Sequence, residues 1–435
     1  MVELSQKQGE AVKSVKDWFA NDSGYKKAFR GAGLAGVGKS EILPFILNDL
    51  GLHKKGEVLA MAPTGKAAKI MSDKFSKQGL HLQANTVHST IYSPNATALD
   101  LIQEQMEKTE KERERAAAAA DREQVTILER RLKVLGRDFD RQVQKGDSPT
   151  FSLRAVNEKM EKAKLIILDE ASMLNEEMAA DILSFGVPVY ATGDPGQLPP
   201  VEGDQWFRED NADFFLTEIH RQAADNPILK LAHDARNGVM PKMGDYGQGV
   251  RVMERRKDDV TYNLDKDATI IVGTNAKRYA ITRKLRGLMG LEPMEGPFEG
   301  EPLMITRNSR KTPGLVNGME VISAIDHGAM HEGHPEFMLA LIVDGKAKNV
   351  VCVQSIFEQH WLGKGKYTCG KNDLYRALRE NEYVDFGHAI TAHKSQGSQY
   401  EEVVIHDESS VFGDERFRWM YTSLTRATDR LTVIL

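Results

Sequence analysis

Short apolar runs, each closed by a glycine-rich or acidic loop and followed by a helical pattern, organise the first part of the chain. Residues 27–30 lead into a glycine loop at 33–40 and then a helical stretch to Leu50 that tolerates Pro44. Residues 58–61 lead into Pro63-Thr64-Gly65 and a helix through Phe75. Residues 165–168 end at Asp169-Glu170, and residues 187–192 end at Gly193-Asp194. Short apolar strands alternating with helices predict a parallel sheet with helices on both faces. Ligands of such sheets bind at the carboxyl ends of the strands, and all four loops fall there.

The pattern resumes in the second half. Residues 268–272 read as a buried strand ending at Gly273-Thr274-Asn275, with a helix over 276–289, and residues 401–406 and 431–435 read as further strands. Between Pro313 and about Asn381 the period changes to short β-rich segments at 320–325, 337–343 and 348–353, separated by glycine turns. That pattern predicts a small antiparallel barrel.

Residues 94–150 are of a different kind. They are highly charged, hold five consecutive alanines at 116–120, and have no Gly or Pro between Asn95 and Gly136. Leu128, Leu132, Leu135 and Phe139 follow a 4-3-4 spacing, the stripe of a packed helix. One straight helix from Ala96 to Leu135 would run about 60 Å, so a hairpin turning near residues 119–121 is favoured. The blander alternative is a solvated charged spacer.

At 435 residues the chain is long enough for two to four domains. Hydrophobic residues make up 41% and charged ones 28%, with a net charge of −5. The acidic balance argues against a surface coated in basic residues but leaves room for a local basic groove. No apolar run approaches the roughly 20 residues that cross a bilayer, and residues 1–7 lack the apolar core of a secretory signal. Two cysteines, Cys352 and Cys369, are too few for a zinc cage or a disulfide framework. A cytoplasmic protein without a membrane segment is the expectation.

The loop Gly33-Leu34-Ala35-Gly36-Val37-Gly38-Lys39-Ser40 matches G-x-x-x-x-G-K-[ST] between a strand and a helix. Its glycines let backbone N–H groups of Ala35, Gly36, Val37 and Gly38 wrap phosphates, and the helix N-terminus adds a favourable dipole. Lys39 is expected to reach the β/γ-phosphates and Ser40 to hold Mg²⁺. Asp169 completes the Mg²⁺ shell, and Glu170 is placed to accept a proton from attacking water. ATP and Mg²⁺ are therefore the expected ligands.

Further segments resemble superfamily 1 helicases of the RecD-like group B, and among them the Dda-like helicases of T-even phages. The matching residues run from Gln8 to Arg426, in the family's order. Leu4-Ser5-Gln6-Lys7-Gln8 resembles the adenine-reading glutamine motif. Residues 62–68, with Pro63, Thr64, Gly65 and Lys66, and Thr86-Val87-His88-Ser89 resemble segments that touch the nucleic-acid backbone. Residues 193–201 resemble the third motif, whose glutamine, here Gln197, senses the γ-phosphate. Residues 216–222 resemble the fourth, with Arg221 as a candidate arginine finger. Residues 391–397 resemble the fifth, which brings Thr391, His393 and Lys394 to DNA and Gly397 to the nucleotide. Residues 421–427 resemble the sixth, with Arg426 as a second finger. Asn275 joins the candidate DNA contacts.

The resemblance implies two RecA-like parallel-sheet domains of the P-loop NTPase class. The first spans 1–93 and 151–225, with a helical insert at 94–150. The second spans 226–312 and 382–435, with a β-rich accessory domain at 313–381. The chain departs from the family in its insert, which is longer and more charged than the short hairpin whose aromatic tip splits the duplex. Phe139 and Phe151 are the aromatic candidates for that tip. Only Val316-Asn317-Gly318 matches the local pattern of the accessory domain.

Fingers outside the phosphate-loop domain reach a γ-phosphate only when the two halves close over it. Closure then depends on ATP and release on hydrolysis, which moves a strand gripped alternately by each half. The resemblance implies a monomeric DNA helicase running 5′→3′ on single strands in replication, recombination or repair. Its partners would be single-stranded DNA, single-strand/duplex junctions, and single-strand-binding or replication proteins that meet the helical insert. The alternatives are an ATP-dependent switch acting through a protein partner, and an RNA motor.

Overall fold

The computed structural model describes all residues except 1–3, 53, 55, 95–97, 146–150, 156–157, 218–225, 255–267, 310, 313 and 328–329. The chain divides into two units. One holds residues 1–92, 153–281 and 388–435, and the other holds residues 93–152 and 282–387.

The first unit contains two six-stranded sheets. In one, the strands run in the order Ala84–Thr86, Val58–Ala62, Leu165–Leu168, Val189–Gly193, Ala28–Gly33, Phe214–Leu216, all parallel. All four residues of Leu165–Leu168 are buried. Leu165 and Ile167 join a core with Trp18, Ile46 and Phe75, while Ile166 and Leu168 join another with Ile91, Ile182 and Phe207. Alternate strand residues face opposite sides, so this all-apolar strand needs cover on both.

The expected helix after the glycine loop opens as a 3-10 turn, Lys39–Ile42, and continues as Leu43–Leu50. Pro44 sits in the first turn of that α-helix, where its missing N–H has no intrahelical partner to lose. A helix not assigned from sequence, Gln6–Asn21, precedes the sheet and buries Gln8, Ala11, Val12, Val15 and Trp18.

The other sheet has the order Ala389–Thr391, Thr269–Val272, Tyr400–His406, Ala427–Ile434, Val250–Met253, Gly244–Gly247. It is parallel except for the edge hairpin of the last two strands.

The second unit pairs a helical hairpin with an antiparallel sheet. The helices Ala98–Ala118 and Arg122–Lys145 turn through residues 119–121, with Ala120 at φ 58° and the Asp121 carboxylate accepting from Gln124 N–H at 3.0 Å. Leu128, Leu135 and Phe139 of the sequence stripe are buried. Phe139 packs edge-on against Tyr375 at 6.2 Å, in a cluster with Leu99. An aromatic held there is a core residue, which removes Phe139 as a candidate for the duplex-splitting tip; the side chain of Phe151 lies outside the described residues.

The five-stranded sheet runs Lys346–Val353, Glu336–Val343, Glu320–Ser323, Pro302–Ile305, Val384–Phe386. Its two ends approach one another through a bridge between Cys352 and Glu382, with Val353 N–H donating to Glu382 O at 3.1 Å. The β-rich reading of 313–381 omitted two helices, Gln354–Leu362 and Lys371–Glu380. Both cysteines are free and buried. Among the described residues no helix is long and apolar enough to cross a membrane.

Candidate functional site

The glycine loop leaves the strand Ala28–Gly33 at its carboxyl end. Gly36 and Gly38 adopt φ of 79° and 76°, a region closed to most side chains. Lys39 Nζ donates to the carbonyls of Gly33 and Leu34 at 2.8 and 2.7 Å and stands 4.0 Å from Asp194 Oδ2. Ser40 Oγ donates to Asp169 Oδ2 at 2.8 Å. Gln8 is buried and braces the loop: its Nε2 donates to Val37 O at 3.1 Å and its Oε1 accepts from Ser5 N–H at 3.0 Å.

Glu170 follows Asp169 in a left-handed conformation, φ 53°, uncommon for a residue with a side chain. Burial, then the charge of Asp169, pushes its pKa up, against a pull from Arg426 and Lys39. Among the described residues, Glu170 Oε2, Ser172 Oγ, Thr192 Oγ1 and Gln197 Oε1 are buried without a hydrogen-bond partner. Such atoms are costly to leave unpaired and fit a polar guest at this end of the sheet. A hydroxyl and one carboxylate, Ser40 and Asp169, suit Mg²⁺, which keeps waters and takes phosphate oxygens for the rest of its shell. Among the described residues no group of three or more His, Cys, Asp or Glu could hold a metal ion by itself.

Asp194 ties this loop to the other sheet. It is fully buried. Its Oδ1 accepts from Gly196 N–H at 3.0 Å and Arg236 Nη1 at 3.2 Å, and its Oδ2 accepts from Tyr421 OH at 2.5 Å. Tyr421 OH in turn accepts from Ala35 N–H at 3.0 Å. Thr422 Oγ1 accepts from Leu198 N–H at 2.9 Å, and Gln396 Nε2 donates to Leu198 O at 3.1 Å.

Arg426 is buried, and burial lowers its pKa while Glu170 opposes that. Its guanidinium donates to the carbonyls of Thr422 at 3.0 Å, Ser398 at 3.0 Å and Ser395 at 3.4 Å, and to Thr425 Oγ1 at 2.9 Å. The other expected finger, Arg221, lies outside the described residues.

The expected backbone-contact residues sit at strand ends where threonines cap the next helix. Thr64 Oγ1 accepts from Ala67 N–H at 3.2 Å, Thr86 Oγ1 from Ser89 N–H at 3.2 Å, and Thr391 Oγ1 from Lys394 N–H at 3.4 Å. Pro63 and Gly65 flank the first of these caps. Gly397, φ 74°, backs onto it: a Cβ there would lie 3.1 Å from Ala67 Cβ. Lys66 Nζ lies over the Tyr400 ring, 4.6 Å from its centroid. His88 packs near Tyr92 and His393 near Phe412, at 5.5 and 5.9 Å, and burial lowers both histidine pKa values. Asn275 begins the helix Asn275–Leu288, and its Oδ1 accepts from Arg278 Nε at 3.2 Å.

Sequence reasoning missed Arg236 and gave Tyr421 no role. The available signal was the buried position of Asp194 after an apolar strand, since a buried carboxylate must be paired. It also missed Glu408, whose carboxylate accepts from the N–H groups of Gly273 and Thr274 at 2.7 and 3.0 Å, beside Asn275.

A family model described as an AAA domain matches residues 3–256. The chain belongs to this AAA-domain family. A second model, the UvrD-like helicase C-terminal domain, matches residues 386–434. That pairing is the one found in superfamily 1 helicases of the RecD/Pif1 type. The ATP-dependent RecD2 DNA helicase of Deinococcus radiodurans is 25% identical over 274 residues, 61% of this chain and 35% of that protein. The conjugal transfer protein TraA of Rhizobium radiobacter is 23% identical over 261 residues, 55% of this chain and 22% of that protein. The chain thus spans about a third or less of the length of these relatives.

Among solved structures, Bacteroides Pif1 bound to ssDNA is similar at TM-score 0.52 and 15% identity, covering 100% of this chain and 93% of that one. Pif1 helicase from Candida albicans is similar at TM-score 0.50 and 17% identity, covering 100% and 94%. These likenesses establish the fold: two RecA-like parallel sheets with an antiparallel insert, as expected from the sequence.

Proposed function

We propose that the chain is an ATP-dependent DNA helicase that moves 5′→3′ on single strands and opens duplex at junctions. The observation that carries this reading is the meeting of two sheets at one loop, where Tyr421 OH accepts from Ala35 N–H and donates to Asp194. A phosphate loop by itself would serve a kinase or a transporter as well as a motor. A motor needs the second sheet to feel the nucleotide.

In this reading Lys39 neutralises the β/γ-phosphates, and the loop N–H groups from Ala35 to Gly38 orient them. Gly33 and Gly397 keep the backbone close, and Gln8 trades its Val37 carbonyl for adenine. Ser40 and Asp169 hold Mg²⁺, which supplies charge neutralisation at the phosphates when bound. Glu170, with its raised pKa, takes the proton of the attacking water, and Gln197 orients that water. Arg426 and Arg221 act as fingers that stabilise transition-state charge. Pro63, Thr64, Gly65, Lys66, His88, Ser89, Asn275, Thr391, His393 and Lys394 form a track for backbone phosphates, which binds without reading sequence.

The finer kinship proposed is with Dda-like phage helicases, acting as a monomer in the cytoplasm. Work in replication, recombination or repair follows from that kinship, with single-strand-binding proteins as candidate partners of the helical hairpin. The relatives' names, RecD2 DNA helicase and Pif1 bound to ssDNA, favour DNA over RNA. The test is steady-state ATPase with and without single-stranded DNA, beside a matched RNA. Stimulation by DNA supports the motor. Stimulation by RNA alone points to an RNA motor, and turnover indifferent to both points to a switch.

A further inference from the structure

We infer that Tyr421 is a positioning residue that competes with a phosphate oxygen for the phosphate loop, and so reports nucleotide occupancy to the helix leading to Arg426. The inference rests on the reading of residues 33–40 as an ATP site.

A backbone N–H makes one good hydrogen bond, and Ala35 N–H gives its bond to Tyr421 OH at 3.0 Å. Ala35 lies in the phosphate loop, whose amides exist to meet phosphate oxygens. The hydroxyl is not there by accident of packing, because its own proton is committed to Asp194 Oδ2 at 2.5 Å. Asp194 is fully buried and is also held by Arg236 at 3.2 Å, with Lys39 Nζ 4.0 Å away. Burial, then the Asp194 charge, raises the Tyr421 pKa, so the hydroxyl stays protonated and keeps donating.

A phosphate oxygen arriving at Ala35 N–H therefore displaces an acceptor already in place. The displaced tyrosine sits on the helix Arg416–Leu424. The next residue, Thr422, accepts from Leu198 N–H at 2.9 Å and gives its carbonyl to Arg426 Nε at 3.0 Å. Movement at Tyr421 thus reaches both the loop carrying Gln197 and the guanidinium of Arg426 within one helical turn. The coupling runs both ways, as any binding linkage must.

The test is Tyr421→Phe in the full chain, which keeps the ring and removes only the hydroxyl. Binding of a fluorescent non-hydrolysable ATP analogue is measured by titration, ATPase by steady-state kinetics, and folding by thermal melt. Without the competing hydroxyl the analogue binds about three- to tenfold tighter, while kcat falls about tenfold or more because occupancy is no longer passed on. A purely structural role would weaken binding and turnover together with the melt. Unchanged or weaker binding in a variant that melts like wild type overturns the inference. If Tyr421→Phe fails to fold, Asp194→Asn, which weakens the hydroxyl's anchor, must tighten binding in the same direction, and no tightening overturns the inference. Wild type that fails to bind the analogue sinks the ATP-site reading itself, whereas wild-type binding with no tightening in the variants sinks this inference alone.

Discussion

Ser40 Oγ lies 2.8 Å from Asp169 Oδ2, across 129 residues of sequence. A hydroxyl and a carboxylate so placed are two oxygen ligands of the kind Mg²⁺ would take, with waters and phosphate oxygens left to fill the rest of its shell. Ser40→Ala and Asp169→Asn are each expected to lower ATP turnover by about 10²-fold or more. The Mg²⁺ concentration giving half-maximal rate should also rise. Turnover of both variants at the wild-type Mg²⁺ dependence would remove the pair from the metal site.

Lys39 is tied to two loop carbonyls and is the loop's charged donor. Lys39→Ala is expected to abolish hydrolysis while leaving single-strand binding, read by fluorescence anisotropy, within about twofold of wild type, since Lys39 lies in the phosphate loop and not among the residues proposed to grip the strand backbone. Retained turnover would overturn the site assignment.

Glu170 gives a pH prediction. Its pKa is raised by burial and by Asp169 above the ordinary carboxylate value of 4.5. The folded chain therefore holds the proton to higher pH than the unfolded chain, and stability falls as pH rises through that interval. Glu170→Gln should melt higher than wild type near neutral pH, with the advantage vanishing below the ordinary carboxylate value. The same substitution should stop hydrolysis. A melting difference that grows on acidification would contradict the direction of the shift.

Arg426 spends its donors on four groups of its own segment and the adjoining fifth-motif segment. Arg426→Lys keeps charge but loses the planar fork. We expect kcat to fall by about 10³-fold or more, with analogue affinity changed far less. Equal losses in both would assign Arg426 to packing rather than to the transition state.

Phe139 is fully buried beside Leu99 and Tyr375. Phe139→Ala should cost about 3–5 kcal/mol in the unit that contains it, read by chemical denaturation. A neutral effect would reopen Phe139 as an exposed tip.

Much of this was legible in the sequence, for reasons that differ by residue. Strands such as Leu165–Leu168 announce themselves because both faces are buried, and the loop at 33–40 because its glycines and lysine are fixed by phosphate chemistry. The helical hairpin was readable from Leu128, Leu135 and Phe139 and from the helix-favouring alanines. The helices Gln354–Leu362 and Lys371–Glu380 were hidden by neighbouring β-branched strands and glycine turns, whose local signal outweighs a short amphipathic period. Phe139 misled because an aromatic on a charged insert looks exposed until its partner, Tyr375 from a distant segment, is known. Tyr421 and Arg236 escaped notice for a similar reason. Their meaning lies in a shared contact with Asp194, and long-range pairing of this kind leaves no spacing to read.

ATP hydrolysis that drives directed movement along a DNA strand is the output proposed for this chain. The most direct measurement is unwinding of a short duplex bearing a single-stranded tail at either the 5′ or the 3′ end, with ATP and Mg²⁺. The account predicts strand separation with the 5′ tail, little with the 3′ tail, and none with the Lys39→Ala chain. Robust ATP hydrolysis with no unwinding of either substrate, and no strand-length dependence of turnover, would contradict it.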